Sequence, residues 1–238
     1  MAYPERIVPD ETEPGIVALH LKRYTFALPY CEGAEVLDAG CGVGYGTSVL
    51  GRVARRVLGV DRDVASVDYA RGRYAAPNVE FQVGDLLALG LDDRSFDVVT
   101  SFEVLEHLRD QECFLAELAR ILRPDGVLVL STPHVAQTTD RPGNPFHERE
   151  LSRADFAALL ARHFADVELY GQRRRETRRH EVLRRLDVLG LRRRAELLRR
   201  VSGAVTGSPA TDFLSPDDVL IERDCFERAT ELVAVARR

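Results

Sequence analysis

The chain has 238 residues, 45% hydrophobic and 30% charged, enough to bury one full core and to read as a single domain over 1–238. Its net charge is −5, and its four cysteines (Cys31, Cys41, Cys113, Cys225) include no C-x-x-C pair, which argues against a zinc ribbon and a disulfide framework and makes them small packed residues. The opening stretch has neither a basic nor an apolar leader region and no run approaches the roughly 18 apolar residues of a membrane span, so a cytoplasmic protein is expected.

Residues 1–34 read as an N-terminal helical lid, with "HLKRY" placed to reach a cofactor. Apolar runs of strand length follow at 35–39, 57–60, 79–83, 96–101 and 127–131, with helical spacing between them. Asp63 and Asp110 are placed to cap two of those helices, and "RPDG" after Leu122 stops the second. A Ser152-x-x-Asp155 capping box opens a third, whose apolar stripe is Phe156, Leu159, Leu160 and Phe164. "DVELYG" is a sixth strand, which closes a core over 35–170. The range 171–223 reads as an arginine-rich helical insertion, in which 171–200 holds 12 arginines against four acids. The range 224–238 supplies a last helical turn and the strand "TELVAVAR". Such alternation describes a parallel sheet with helices on both faces.

The stretch "VLDAGCGVGYGT" puts a glycine-rich turn between a strand and a helix, where backbone N–H groups converge on an anionic or polar ligand. Its spacing is not G-x-G-x-x-G, and no Gly-Lys-Ser/Thr of a phosphate loop occurs. Instead Asp38 precedes Gly40, Gly42 and Gly44 at alternate positions. Asp61, at the end of the second strand, can accept both hydroxyls of a ribose. Asp85, at the end of the third, can accept an adenine amino group beside the Leu86 N–H. Each acid alone could be a helix cap; three at successive strand ends fit a nucleoside better.

In order and spacing, "VLDAGCGVGYG", "GVDRD", "VGDLLAL", "FDVVTSFEVLEHL" and "LRPDGVLVLSTPH" resemble the motif series of class I S-adenosylmethionine-dependent methyltransferases, from about 36 to 171. The resemblance implies a Rossmann-like α/β fold with a seven-stranded, mostly parallel sheet whose last strand is antiparallel, and the helical insertion before that strand. It also implies S-adenosylmethionine as cofactor. Asp38, Gly40, Gly42 and Gly44 would border its methionine part, Asp61 the ribose, Asp85 and Leu86 the adenine, and Phe102 the sulfonium.

"SFEVLEHL" spaces Glu103, Glu106 and His107 at i, i+3 and i+4, one face of a helix. One reading is acids favouring a helix dipole beside an ordinary histidine. The other is a metal site holding Mg²⁺ or Mn²⁺, with His147 of "NPFHERELS" as a fourth ligand. The E-x-x-E-H pattern with a later histidine resembles a metal-dependent O-methyltransferase subset, which includes ubiquinone-pathway catechol O-methyltransferases and enzymes that methylate the terminal 2′-hydroxyl of a small RNA. "ERIVPD", "HLKRY", "STPH…NPFHERELS" and "VELYGQ" are closer to methyltransferases found with bacterial glycan-assembly enzymes, including mycobacterial sugar O-methyltransferases; those commonly carry asparagine where this chain has His134. A divalent ion chelated by neighbouring hydroxyls would acidify one of them. His134 is then the first choice of general base, and His107 the base if no metal binds.

The leading expectation is therefore metal-assisted O-methylation of a vicinal diol on a sugar or glycoside. Catechol or RNA 2′-O-methylation, and a non-catalytic cofactor-binding scaffold, are the alternatives; a nicotinamide oxidoreductase is disfavoured by the glycine spacing. The insertion interleaves its arginines with leucines and has no aromatic residue from Gln172 to Thr211, which favours an amphipathic surface, such as a homodimer contact, over nucleic acid.

Overall fold

A computed structural model describes residues 7–175, 215–223 and 225–238. Helix α1 (Pro14–Cys31) starts on a proline, where no amide hydrogen is needed, and leads into strand β1 (Glu35–Ala39). Then follow α2 (Tyr45–Leu50), β2 (Arg56–Asp61), α3 (Val64–Tyr74), β3 (Val79–Val83) and β4 (Phe96–Phe102). The remainder is α4 (Gln111–Ile121), β5 (Leu122–Pro133), α5 (Arg153–Leu160), β6 (Asp166–Arg174), β7 (Val219–Glu222) and β8 (Glu231–Arg237). Asp63, Asp110 and Ser152 cap α3, α4 and α5 by accepting the amides of Ser66 at 3.0 Å, Cys113 at 2.8 Å and Asp155 at 3.2 Å.

The strands form one sheet in the order β3-β2-β1-β4-β5-β8-β6-β7. The first five are parallel, and β8 runs antiparallel between β5 and β6. Successive strand residues point to opposite faces. Val36, Val57, Val98 and Val129 therefore pack with α1 and α2 through Tyr24, Ala27 and Leu50. Leu37, Leu58, Val99 and Leu128 pack with α4 and α5 through Phe114, Leu118 and Phe156 on the other side. Burial on both faces is what made the strands read as unbroken apolar runs.

Several expectations change. The sheet has eight strands rather than seven, because Val219–Glu222, inside the range assigned to the insertion, pairs antiparallel with the end of β6. The helix before "RPDG" ends at Ile121 as expected, but the strand starts earlier than 127: Leu122 already pairs with Phe96, and the register then jumps to Val98 and Val127, so the four residues bulge out of β5. Cys113 is exposed rather than packed. The arginine-rich helices of the insertion, and the homodimer contact assigned to them, fall mostly at 176–214, outside the described residues. No helix among the described residues is long and apolar enough to cross a membrane.

Candidate active site

The turns after β1, β2, β3 and β4 lie together at the carboxyl ends of those strands and border a cavity of about 1010 Å³. Glycine shapes the first turn. Gly40, Gly42 and Gly44 have φ of +82°, +53° and +85°. A Cβ on Gly40 would stand 2.4 Å from Val104 Cγ2, and one on Gly44 2.6 Å from Phe81 Cε1. The alternate glycines thus let the backbone turn left-handed while pressed against its neighbours.

Gly40 and Gly42 line the cavity, as do Asp61, Asp85, Leu86 and Phe102. Asp61 joins the first two turns, since Oδ2 accepts the Gly42 N–H at 2.8 Å and Oδ1 the Asp63 N–H at 2.9 Å. Asp85 Oδ1 accepts the Leu87 N–H at 3.0 Å. Phe102 meets Tyr24 edge-to-face at 4.9 Å, and Tyr24 meets Tyr45 at 5.8 Å, so aromatic rings from α1, α2 and β4 form one wall. Gly44 is not among the lining residues; it starts α2 and packs on Phe81 and Ala70. Asp38 also stays below the floor, 1% exposed, accepting Thr47 Oγ1 at 2.7 Å, Thr100 Oγ1 at 2.9 Å and the Tyr24 hydroxyl at 3.4 Å. Burial pushes its carboxyl up from the ordinary 3.8 to about 6, against the pull of those three hydroxyls. Asp38 supports the loop from beneath rather than bordering a ligand.

The second constellation is not on a helical face. Glu103 has φ of +56°, and only a 3₁₀ turn, Leu105–His107, follows it. The two acids take different partners. Glu103 Oε1 pairs with the buried Arg23 guanidinium at 2.8 Å and accepts the Ser131 hydroxyl at 2.7 Å. Glu106 is buried and accepts Thr132 Oγ1 at 3.1 Å; burial first, then the Glu103 carboxylate, push it well above the usual carboxylate range. Donor atoms of Glu106, His107 and His147 lie within 4.8 Å of one another, and Glu103 does not join them. This set fits a divalent ion: His107 Nδ1 faces the Phe146 carbonyl at 3.0 Å and His147 Nδ1 the Glu150 carboxylate at 2.6 Å, so the second nitrogen of each ring is the one an ion would take, at His147 in place of the Asn144 amide 3.0 Å away. His107, Glu106 and His147 all open on the same cavity as the glycine turn.

His134 is not among the lining residues. Its amide donates to the Thr230 carbonyl at 2.9 Å and its Nδ1 faces the Ala229 carbonyl at 3.2 Å, which ties it to the start of β8. A third histidine lining the cavity, beside His107 and His147, is His20 of α1, one turn before Arg23 and Tyr24; burial, then the Arg23 charge, hold it well below the ordinary imidazole value. The spacing of "HLKRY" put these three side chains on one helical face, which was the available signal for them.

Residues 37–130 match a family model described as a methyltransferase domain. With its strand order and its cavity at the carboxyl edge, the chain is similar over this segment to methyltransferase domains. The chain is 49% identical over 133 residues to a protein of Mycolicibacterium smegmatis described as a probable S-adenosylmethionine-dependent methyltransferase, covering 55% of this chain and 51% of that one. It is 42% identical over 172 residues to a like-named protein of Mycobacterium tuberculosis, covering 70% of this chain and 62% of the other. The chain thus spans between about half and three fifths of these curated relatives. The fold is shared with the crystal structure of an S-adenosylmethionine-dependent methyltransferase from Mesorhizobium loti, at a TM-score of 0.60 and 18% identity over 94% of this chain and 100% of that one.

Proposed function

We propose that the chain methylates a hydroxyl of a vicinal diol on a sugar or glycoside, using S-adenosylmethionine and a divalent ion held by Glu106, His107 and His147. The observation that carries this reading is that the donor cluster and the nucleoside-facing acids Asp61 and Asp85 open on one cavity. S-adenosylmethionine supplies an electrophilic methyl group on a sulfonium, and the ion supplies acidification and orientation of the diol. Two imidazoles beside one carboxylate favour Mn²⁺ over Mg²⁺, which prefers oxygen donors.

The remaining tasks fall to the chain's own side chains. The glycine turn and Asp61 hold the donor's polar parts, and Leu86 with Phe102 excludes water from its apolar face. Alignment alone serves an in-line displacement when the nucleophile is good. A sugar hydroxyl must also lose its proton, and His20, an imidazole that lines the cavity outside the donor cluster, is placed to take it; burial and the Arg23 charge disfavour the resulting imidazolium, so it would hold the proton only in passing. This replaces His134 in that role.

Transfer of an isotope-labelled methyl group from S-adenosylmethionine, screened over saccharides, catechols and short RNAs, tests the reading. Label should reach a saccharide only with Mn²⁺ or Mg²⁺ present, Glu106→Ala should abolish transfer, and His20→Gln should lower kcat by about 10²-fold. Full activity in chelator would remove the metal role. Transfer to RNA alone would move the assignment to a nucleic-acid enzyme.

A further inference from the structure

We infer that Glu150 is a positioning residue for His147: it fixes the imidazole as the Nδ1–H tautomer, so that Nε2 carries the lone pair, which faces Asn144 in this structure and is the one an ion beside Glu106 and His107 would take in place of that amide. Its consequence for ion binding rests on the metal reading above, whereas the geometry does not. A carboxylate only accepts, so the 2.6 Å contact between His147 Nδ1 and Glu150 Oε1 places a proton on Nδ1. The other nitrogen meets a donor: Asn144 Nδ2 lies 3.0 Å from His147 Nε2. That amide is oriented in turn, because its Oδ1 accepts the Phe146 N–H at 3.0 Å. Nε2 is therefore an acceptor, and the ring is the neutral Nδ1–H form.

Solvent competes little for this bond, since the His147 and Glu150 side chains are only 11% and 13% exposed. A carboxylate behind an imidazole orients the ring and raises the basicity of its free nitrogen. His107 is treated the same way by a backbone group, its Nδ1 lying 3.0 Å from the Phe146 carbonyl. One loop, 144–150, thus contributes a ligand together with the acceptors that orient both imidazoles. It is fastened to the 3₁₀ turn: the Glu148 N–H donates to the Glu106 carbonyl at 2.7 Å, and Gln111 Nε2 donates to the carbonyls of Leu105 at 3.0 Å and Arg149 at 3.2 Å.

The test combines calorimetric titration of the full chain with Mn²⁺ and ¹⁵N NMR of the histidine rings. Wild-type protein should bind Mn²⁺ and show His147 as the Nδ1–H tautomer. Glu150→Leu should weaken Mn²⁺ by about 10- to 100-fold and release the tautomer, with affinity for S-adenosylhomocysteine unchanged as the check on folding. Glu150→Gln should recover most of the affinity, because its amide oxygen still accepts the Nδ1–H. Equal Mn²⁺ affinity in wild type and Glu150→Leu, an Nε2–H tautomer in wild type, or Glu150→Gln as weak as Glu150→Leu would each overturn the positioning role. If wild type binds no Mn²⁺, the metal reading fails instead, and the tautomer measurement alone decides for or against Glu150.

Discussion

Asp38 lies buried beside the glycine turn without lining the cavity. Its carboxyl is enclosed by three hydroxyls, from α1, α2 and β4, beneath a turn in which glycine alternates with the buried Cys41 and Val43. Because burial raises its pKa from 3.8 to about 6, the folded state holds the Asp38 proton more tightly than the unfolded chain does. The sign follows from linkage: the contribution is fully present below the unfolded value and is lost as pH rises through the folded one. Measured by urea unfolding, the stability of wild type relative to Asp38→Asn should fall by about 2.4 kcal/mol between pH 4 and pH 7. A constant difference between the two proteins across that range would mean that Asp38 titrates as an exposed carboxylate.

At the scale of elements, the sequence was most legible where one element carries its own signal. The strands announced themselves as apolar runs, and the caps of α3, α4 and α5 lie where Asp63, Asp110 and Ser152 stood. The site was less legible where a short segment obeys its surroundings. Glu103, Glu106 and His107 have helical spacing, but Glu103 is left-handed and pairs with Arg23, a partner 80 residues earlier that no local pattern could name. A carboxylate paired with a buried guanidinium has little to offer an ion. Glu103→Gln should accordingly change Mn²⁺ affinity by less than about 3-fold, whereas Glu106→Gln should lower it by at least about 10-fold. Calorimetry on the two variants separates the outcomes, and equal losses would return Glu103 to the ligand set. β7 was missed for a similar reason: four residues, half of them partly exposed, carry too short a pattern to stand out, and their ladder with β6 is a long-range contact.

At the scale of the whole molecule, the cavity has no single owner. The glycine turn, Asp61 and Asp85 lie at the carboxyl ends of three strands, and His20 with Tyr24 comes from a helix that precedes them all. A ligand that touches all of these binds only the folded chain, so it must stabilise the molecule by mass action. At a concentration of S-adenosylhomocysteine 100-fold above its Kd, the gain is about 2.7 kcal/mol, which for a chain of this size raises Tm by about 5–10 °C. Asp61→Ala should shrink that rise, because it removes the proposed ribose acceptor and also frees the Gly42 and Asp63 amides that shape the first two turns. NAD should leave Tm unmoved, since the glycine spacing gives its pyrophosphate no matching turn. A thermal shift with NAD and none with S-adenosylhomocysteine would move the cavity from methyl transfer to hydride transfer.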